Sequence, residues 1–168
     1  MHDKNKAHYI VVTGILVKDG KFLITKRADW EKAFPGRWTV PGGKLEVLDY
    51  ALRKMDTQHH WYNVLEDVLA REIKEEVGLE IKNVGYVTSM VYIRDDKIPC
   101  LIVSLYAEPL REDSKIKLCD ALTEFVWVDI EEAKKYDLID GIYDELAILD
   151  NHLKNGKTMK WERNKLTL

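Results

Sequence analysis

Three glutamates near the middle of the chain have the type and spacing of a site for divalent cations. Glu72, Glu75 and Glu76 stand at positions i, i+3 and i+4. On a helix that turns about 100° per residue, Glu72 and Glu76 fall within about 20° of the centre of the apolar stripe, whereas Glu75 lies on its flank. An inward carboxylate has to be paired, protonated or bound to a cation. Clustered carboxylate oxygens suit Mg²⁺ or Mn²⁺.

The same helix also fits a solvated acidic face. Asp67 and Arg71 are four residues apart, as are Arg71 and Glu75, so each pair could form an ion pair along an exposed surface. Helical phase alone does not separate this interpretation from a metal site. Both remain open at this point.

The residues on either side of the helix carry a specific resemblance. Pro41-Gly42-Gly43 precedes it, and the stretch from Arg71 to Leu79 reads Arg-Glu-Ile-Lys-Glu-Glu-Val-Gly-Leu. This stretch resembles the second half of the Nudix hydrolase signature, Gly-x5-Glu-x7-Arg-Glu-U-x-Glu-Glu-x-Gly-U with U aliphatic, at every fixed position. The resemblance to MutT-like members of this family implies an α+β fold, a Nudix-type α/β/α sandwich with a mixed β-sheet.

The resemblance also implies a reaction and the residues that carry it. The reaction is Mg²⁺-dependent hydrolysis of a phosphoanhydride in a nucleoside diphosphate derivative by metal-activated water, with Mn²⁺ as a possible replacement. The residues that match the family's metal ligands are Glu72, Glu75, Glu76 and the carbonyl of Gly43. Arg71 matches the arginine that orients a glutamate of the signature. Gly42 is expected to let the backbone approach the phosphates.

Other expected site residues lie outside the signature. In some family members the catalytic base precedes a strand like Phe125–Val128, and Asp120 and Glu124 are the two candidates here. Lys26 and Arg27 end the second expected strand, where relatives often contact the substrate. Trp38 could stack on a base, although an aromatic residue in a strand is more often part of the core.

The signature is interrupted before the helix. Gly43 and Arg71 lie 28 positions apart, twice the family spacing, so 14 extra residues are expected at 49–62. The first signature glutamate is replaced by Asp49 when counted from Gly43, or by Asn63 when counted back from Arg71. The insertion is interpreted as a solvated loop or short helix, with a lid over the substrate as the alternative. Its length is close to four helical turns, so it could also extend the central helix towards the N-terminus.

Composition indicates an ordinary globular protein. The chain has 168 residues, of which 46% are hydrophobic and 33% charged, with a formal net charge of −3. We expect one domain over 1–168, with flexible residues at 1–7 and a tail at 157–168. Because no basic stripe and no long apolar run stand out, no stable nucleic-acid complex and no membrane segment are expected. Two cysteines without metal-type spacing favour a cytoplasmic setting, and the protein is expected to be a monomer or homodimer.

Apolar patterning and turn residues predict the remaining elements. Strands are expected at 9–18, 21–27, 37–40, 81–94, 98–108 and 125–128, with a short helix at 130–135 and a C-terminal helix at 143–153. The substrate is left open. A modified nucleoside triphosphate is favoured over ADP-ribose or a nucleotide sugar. The alternative of another class is a Nudix-like domain that senses nucleotides without turning them over.

Overall fold

The computed structural model describes residues 6–156, which form one mixed sheet between helices. The strands are β1 (Tyr9–Lys18), β2 (Lys21–Arg27), β3 (Trp38–Thr39), β4 (Gly42–Lys44), β5 (Ile81–Ile93), β6 (Pro99–Pro109) and β7 (Leu122–Val128). The helices are α1 (Leu48–Ala51), α2 (Val64–Val77), α3 (Ile130–Ala133) and α4 (Ile142–Asn155).

The sheet runs in the order β3-β2-β1-β6-β5, with β4 also pairing with β1 and β7 with β2. β1 and β6 are parallel, and their register runs from Tyr9 opposite Cys100 to Leu16 opposite Ala107. The other pairings are antiparallel. The expected mixed sheet is therefore confirmed.

Two apolar cores lie on opposite faces of the sheet, because successive strand residues point to opposite sides. On one face, Val12 and Leu16 of β1 belong to the core that contains the buried side of α2. On the other face, Ile15 belongs to the core that contains the buried side of α4. Gly14 gives α2 room, since a Cβ there would lie 2.3 Å from Leu69 Cδ1. The helix–sheet–helix layering confirms the predicted sandwich.

Most element bounds agree with the sequence predictions to within a few residues. β1 and β2 have the expected bounds and are joined by a turn in which Asp19 and Gly20 both have positive φ. α3 is shorter than predicted and ends at Ala133, whereas β7 begins earlier, at Leu122. The glycine segment was expected only as a turn, but Gly42–Lys44 forms β4 by pairing with β1.

The prediction that the insertion extends the central helix is wrong. α2 begins at Val64 because Asn63 has a left-handed backbone (φ 56°), which a continuous α-helix cannot contain. The preceding residues form α1 and a closed loop instead. Trp61 Nε1 donates to the Arg53 carbonyl at 3.1 Å, and the Arg53 guanidinium donates to the Tyr62 carbonyl. The segment thus contains a short helix and a loop closed at its base, and the expectation of a lid stays a prediction.

Two sequence predictions concern residues outside this description. The tail at 157–168 lies wholly outside the described residues, and the N-terminal segment 1–7 is described only at residues 6 and 7, which precede β1. Among the described helices, none is long and apolar enough to cross a membrane.

Candidate active site

The site is built where the glycines of β4 face the inward side of α2. A Cβ on Gly43 would lie 1.9 Å from Glu72 Oε1, so only glycine lets the Glu72 carboxylate lie against this backbone. A Cβ on Gly42 would lie 2.3 Å from the Val12 carbonyl oxygen of the neighbouring strand. The Gly42 amide donates a hydrogen bond to Glu76 Oε2 at 2.9 Å. The two glutamates that helical phase predicts to point inward therefore both contact the Gly-Gly backbone.

Arg71 holds the carboxylates around this backbone. Its Nη1 lies 2.8 Å from Glu72 Oε1 and 3.1 Å from Glu75 Oε2, and its Nη2 donates to the Lys44 carbonyl at 3.2 Å. Its Nε donates to Asp49 Oδ1 at 2.6 Å. These charge-assisted bonds fix the guanidinium between β4 and α2. The arginine thus has the geometry of a positioning residue.

The two residues that could replace the first signature glutamate differ in their contacts. The Asp49 side chain is only 6% exposed and bonds to Arg71, whereas Asn63 caps the start of α2 without a side-chain bond. Asp49 belongs to α1, so the first residues of the insertion are part of the site. The predicted Asp67–Arg71 pair is wrong: Asp67 pairs with Arg53 of the closed loop at 3.3 Å.

Burial and local charge set the proton affinities of the carboxylates. Burial raises the pKa of Glu76 to about 7, against the hydrogen bond from the Gly42 amide. Burial also raises the pKa of Glu72, although Arg71 opposes this change. At Asp49, burial is outweighed by hydrogen bonds from Arg71 and the Glu46 amide, so its pKa lies below the usual range. At Arg71, burial is outweighed by the hydrogen bond to Asp49 and by the charges of Glu72 and Asp49, so its pKa is raised.

The carboxylates of Glu72, Glu75 and Glu76 and the carbonyl of Gly43 fit a hard divalent cation. They are all oxygens, two of them belong to carboxylates whose charged form is disfavoured by burial, and a bound cation would stabilise that form. In the part of the chain that the structure describes, no three acidic, histidine or cysteine side chains are arranged as a ready-made metal cluster. Instead, each of the three glutamates has a protein partner: Arg71 contacts Glu72 and Glu75, and the Gly42 amide contacts Glu76. The Glu75 side chain is 59% exposed.

The two candidate bases occupy different positions. The loop that contains Asp120 lies along the end of α2, because the Cys119 amide donates to the Glu76 carbonyl at 3.0 Å. Asp120 itself is exposed. Glu124 lies opposite Lys26 in the β2–β7 pairing, and its Oε1 is 2.7 Å from Lys26 Nζ. The Asp120 loop is therefore bonded to the backbone at the end of α2, whereas the Glu124 carboxylate is engaged by Lys26.

The expected substrate-binding residues also differ in their contacts. Burial raises the pKa of Glu76, and the charge of Arg27 acts against this rise, so Arg27 belongs to the electrostatic surroundings of the site. Arg27 also pairs with Glu31 at 2.7 Å. Lys26 points to Glu124, and Trp38 packs edge-on against Tyr136 with ring centroids 4.8 Å apart, in the core beneath α4. Trp38 is thus placed for packing rather than for stacking on a base.

The sequence analysis missed one buried acid. Glu145 of α4 is 4% exposed, and among residues 6–156 its Oε2 has no hydrogen-bond partner. Burial raises its pKa, while the neighbouring Ser104 hydroxyl opposes this change. Ile142, Leu146 and Leu149 place it in the apolar stripe of its helix. The helical-phase argument that singled out Glu72 would have found it.

Comparison with known proteins identifies the family to which this site belongs. The model of the NUDIX domain matches residues 8–146. The chain belongs to the Nudix hydrolase family. Members are pyrophosphohydrolases that act on nucleoside diphosphate derivatives and generally use divalent metal ions. The predicted family and enzyme class are confirmed.

Individual relatives are similar at low identity. Nucleoside triphosphatase NudI of Escherichia coli (strain K12) is 24% identical over 136 residues, which cover 76% of this chain and 86% of that protein. The MutT NUDIX hydrolase from Burkholderia pseudomallei is 18% identical, with a TM-score of 0.67 and coverage of 86% of this chain and 99% of that chain. The NUDIX domain of Shewanella oneidensis NrtR, complexed with ADP ribose, is 16% identical, with a TM-score of 0.66 and coverage of 90% and 94%. The structural likenesses support the fold.

Proposed function

We propose that this Nudix hydrolase cleaves a phosphoanhydride bond of a nucleoside triphosphate, with a modified nucleotide as the favoured substrate, in a Mg²⁺-dependent reaction. The observation that carries the proposal is the pair of inward carboxylates on the Gly-Gly backbone, Glu72 against Gly43 and Glu76 on the Gly42 amide. The similarity to a nucleoside triphosphatase over most of both chains supports this substrate class.

The metal would be held by the carboxylates of Glu72, Glu75 and Glu76 and the carbonyl of Gly43. When bound, Mg²⁺ or Mn²⁺ supplies charge neutralisation for the phosphates and acidifies a bound water. Arg71 keeps Glu72 and Glu75 in place. When a cation binds, these two carboxylates would turn oxygen lone pairs towards it, while Arg71 stays bonded to Asp49.

Asp120 is the better candidate for the general base. Its loop is bonded to the end of α2, whereas the Glu124 carboxylate is engaged by Lys26. Arg27 is the better candidate for a phosphate contact because its charge acts on Glu76. Lys26 would have to release Glu124 before it could bind a substrate.

The two free cysteines support a reducing, cytoplasmic compartment.

A panel of nucleotides tests the proposal. Nucleotide products are separated and quantified by chromatography after incubation with nucleoside triphosphates, ADP-ribose and nucleotide sugars, each with Mg²⁺ and with a chelator. The proposal predicts the highest kcat/KM for a triphosphate and loss of turnover with the chelator. Preference for ADP-ribose, the ligand bound to the NrtR domain, would replace the substrate class. Nucleotide binding without turnover of any panel member would favour a sensing domain and overturn the proposal.

A further inference from the structure

The last strand of the sheet, β5, has an unpaired edge. It runs for 13 residues, Ile81–Ile93, and is bonded to β6 on one side. Among residues 6–156, no strand pairs with its other side. An open edge presents a row of backbone donors and acceptors that can pair with another strand.

The sheet face next to this edge is apolar and only partly covered by α2. Tyr86, Val91 and Ile93 are 51%, 55% and 54% exposed, and they alternate along β5 on the side of the sheet that faces α2. Beside them lies a groove of about 420 Å³ between Leu65 of α2 and the strands, with Leu101, Val103 and Leu105 among its lining residues. A contiguous exposed apolar area of this kind is typical of an interaction surface.

The second half of this edge lacks the features by which soluble proteins prevent strand pairing. From 83 to 93 the sequence has no charged residue and no proline. The irregularities in the β5–β6 pairing lie between Lys82 and Thr88, and the register is regular from Thr88 to Ile93. Charges, prolines and bulges are the usual protections of an edge strand. The segment Thr88–Ile93 is therefore a regular, uncharged and unprotected edge.

We propose that a second copy of this chain docks here, with the two β5 strands antiparallel across a two-fold axis at Val91. A two-fold axis perpendicular to the sheet keeps the α2 faces of both copies on one side, so the axis must pass through a residue position rather than between two. Centred on Val91, Ile93 lies opposite the partner's Ser89. The apolar stripes of the two copies then form one surface.

Charge favours a second copy as the occupant. A two-fold interface brings every residue near residues of its own chain, so a charged edge would repel itself. In the proposed register, Arg94 falls opposite the partner's Thr88, and Lys82 lies beyond the regular segment. No like charges are opposed. A partner selected by charge complementarity would find no charge to recognise between 83 and 93.

The oligomeric state and one charge substitution test the proposal. Sedimentation velocity of the full chain across micromolar concentrations should show a dimer, and Val91→Lys should give a folded monomer because two lysines would face each other at the axis. Leu52→Lys is the matched control, since Leu52 is 81% exposed, directly follows α1 and lies outside the β5 edge. The control should remain dimeric. A monomeric wild-type chain, or a Val91→Lys dimer as stable as the wild type, would overturn the proposal.

A paired substitution tests the register itself. Ile93→Lys alone should weaken the dimer, whereas Ile93→Lys combined with Ser89→Glu should restore it, because each lysine would face a glutamate of the partner. Circular dichroism confirms that each variant is folded. If the double variant dissociates more than Ile93→Lys, the proposed register is wrong and the Val91 axis is rejected.

Discussion

Helices α2 and α4 both turn glutamates towards the sheet, but the surroundings of these glutamates differ. On α2, Glu76 accepts from the Gly42 amide and Glu72 contacts Arg71, and both lie beside the backbone of β4. On α4, Glu145 is more deeply buried, and its Oε2 has no hydrogen-bond partner among residues 6–156. The α2 carboxylates are oriented by neighbours that leave a side open to a ligand, whereas Glu145 is enclosed by core residues. An inward glutamate is therefore a site only where its surroundings orient it.

The largest expected effect separates these glutamates by activity. Glu76→Gln and Glu75→Gln should each lower kcat at least about a hundredfold at limiting Mg²⁺, because each removes a charged oxygen ligand. Glu145→Gln should change kcat less than about threefold, since it lies on the other face of the sheet. Steady-state kinetics with Glu80→Gln, an exposed change just after α2, as the control measures the difference. Near-normal activity of both α2 variants would contradict the comparison.

The second prediction concerns the backbone against which Glu72 lies. Gly43→Ala should lower kcat/KM more than about tenfold, because the new Cβ would occupy the position of the Glu72 carboxylate, 1.9 Å from Oε1. The control is Gly20→Ala, which meets no atom within 4 Å and lies in the β1–β2 turn. It should cost some stability because its φ is positive, but it should leave kcat/KM unchanged. Equal losses of activity in the two variants would show a general folding defect.

The third prediction uses pH to compare the two helices. The folded pKa values of Glu76 and Glu145 lie above the ordinary 4.5. The stability that these groups contribute is fully present below about pH 4.5 and is lost as the pH rises through the folded values. For Glu76, with a pKa of about 7, the loss is about 3 kcal/mol in the absence of a divalent ion.

Denaturant unfolding from pH 4.5 to pH 8 measures this loss. Mg²⁺ should restore the part due to Glu76, because a cation stabilises the charged carboxylate, but not the part due to Glu145. Glu145→Gln should flatten the part that Mg²⁺ does not change. A pH profile that Mg²⁺ leaves unaltered would contradict the assignment of Glu76 as a metal ligand.

The smallest expected effect concerns the inserted loop. Because Asp49 bonds to Arg71, a deletion of the whole segment 49–62 would damage the site, so the informative variant replaces only 54–60 with a short turn. The contacts of Arg53 with Trp61 and Tyr62 show that the base of the loop is closed. If the loop is a lid, KM should rise a few-fold while kcat and metal affinity remain. An unchanged KM and substrate profile would leave it as a solvated loop.

Much of the fold could be read from the sequence because its signals are local. The Asp19-Gly20 turn and the flanking apolar strands follow from short-range backbone preferences, and β1 and β2 have the predicted bounds. The start of α2 was less accessible. Nothing in the composition of 49–62 shows that Asn63 takes a left-handed backbone and separates the loop from the helix.

Within the site, the sequence determined which residues point inward, and tertiary structure decided what each one meets. The spacing of Glu72 and Glu76 fixes their phase because an α-helix has a constant turn per residue. The choice of Asp49 over Asn63, the pairing of Lys26 with Glu124 and the edge-on packing of Trp38 depend on contacts between residues distant in the chain. Such contacts are set by how the strands and helices pack, and a local pattern carries no information about that packing.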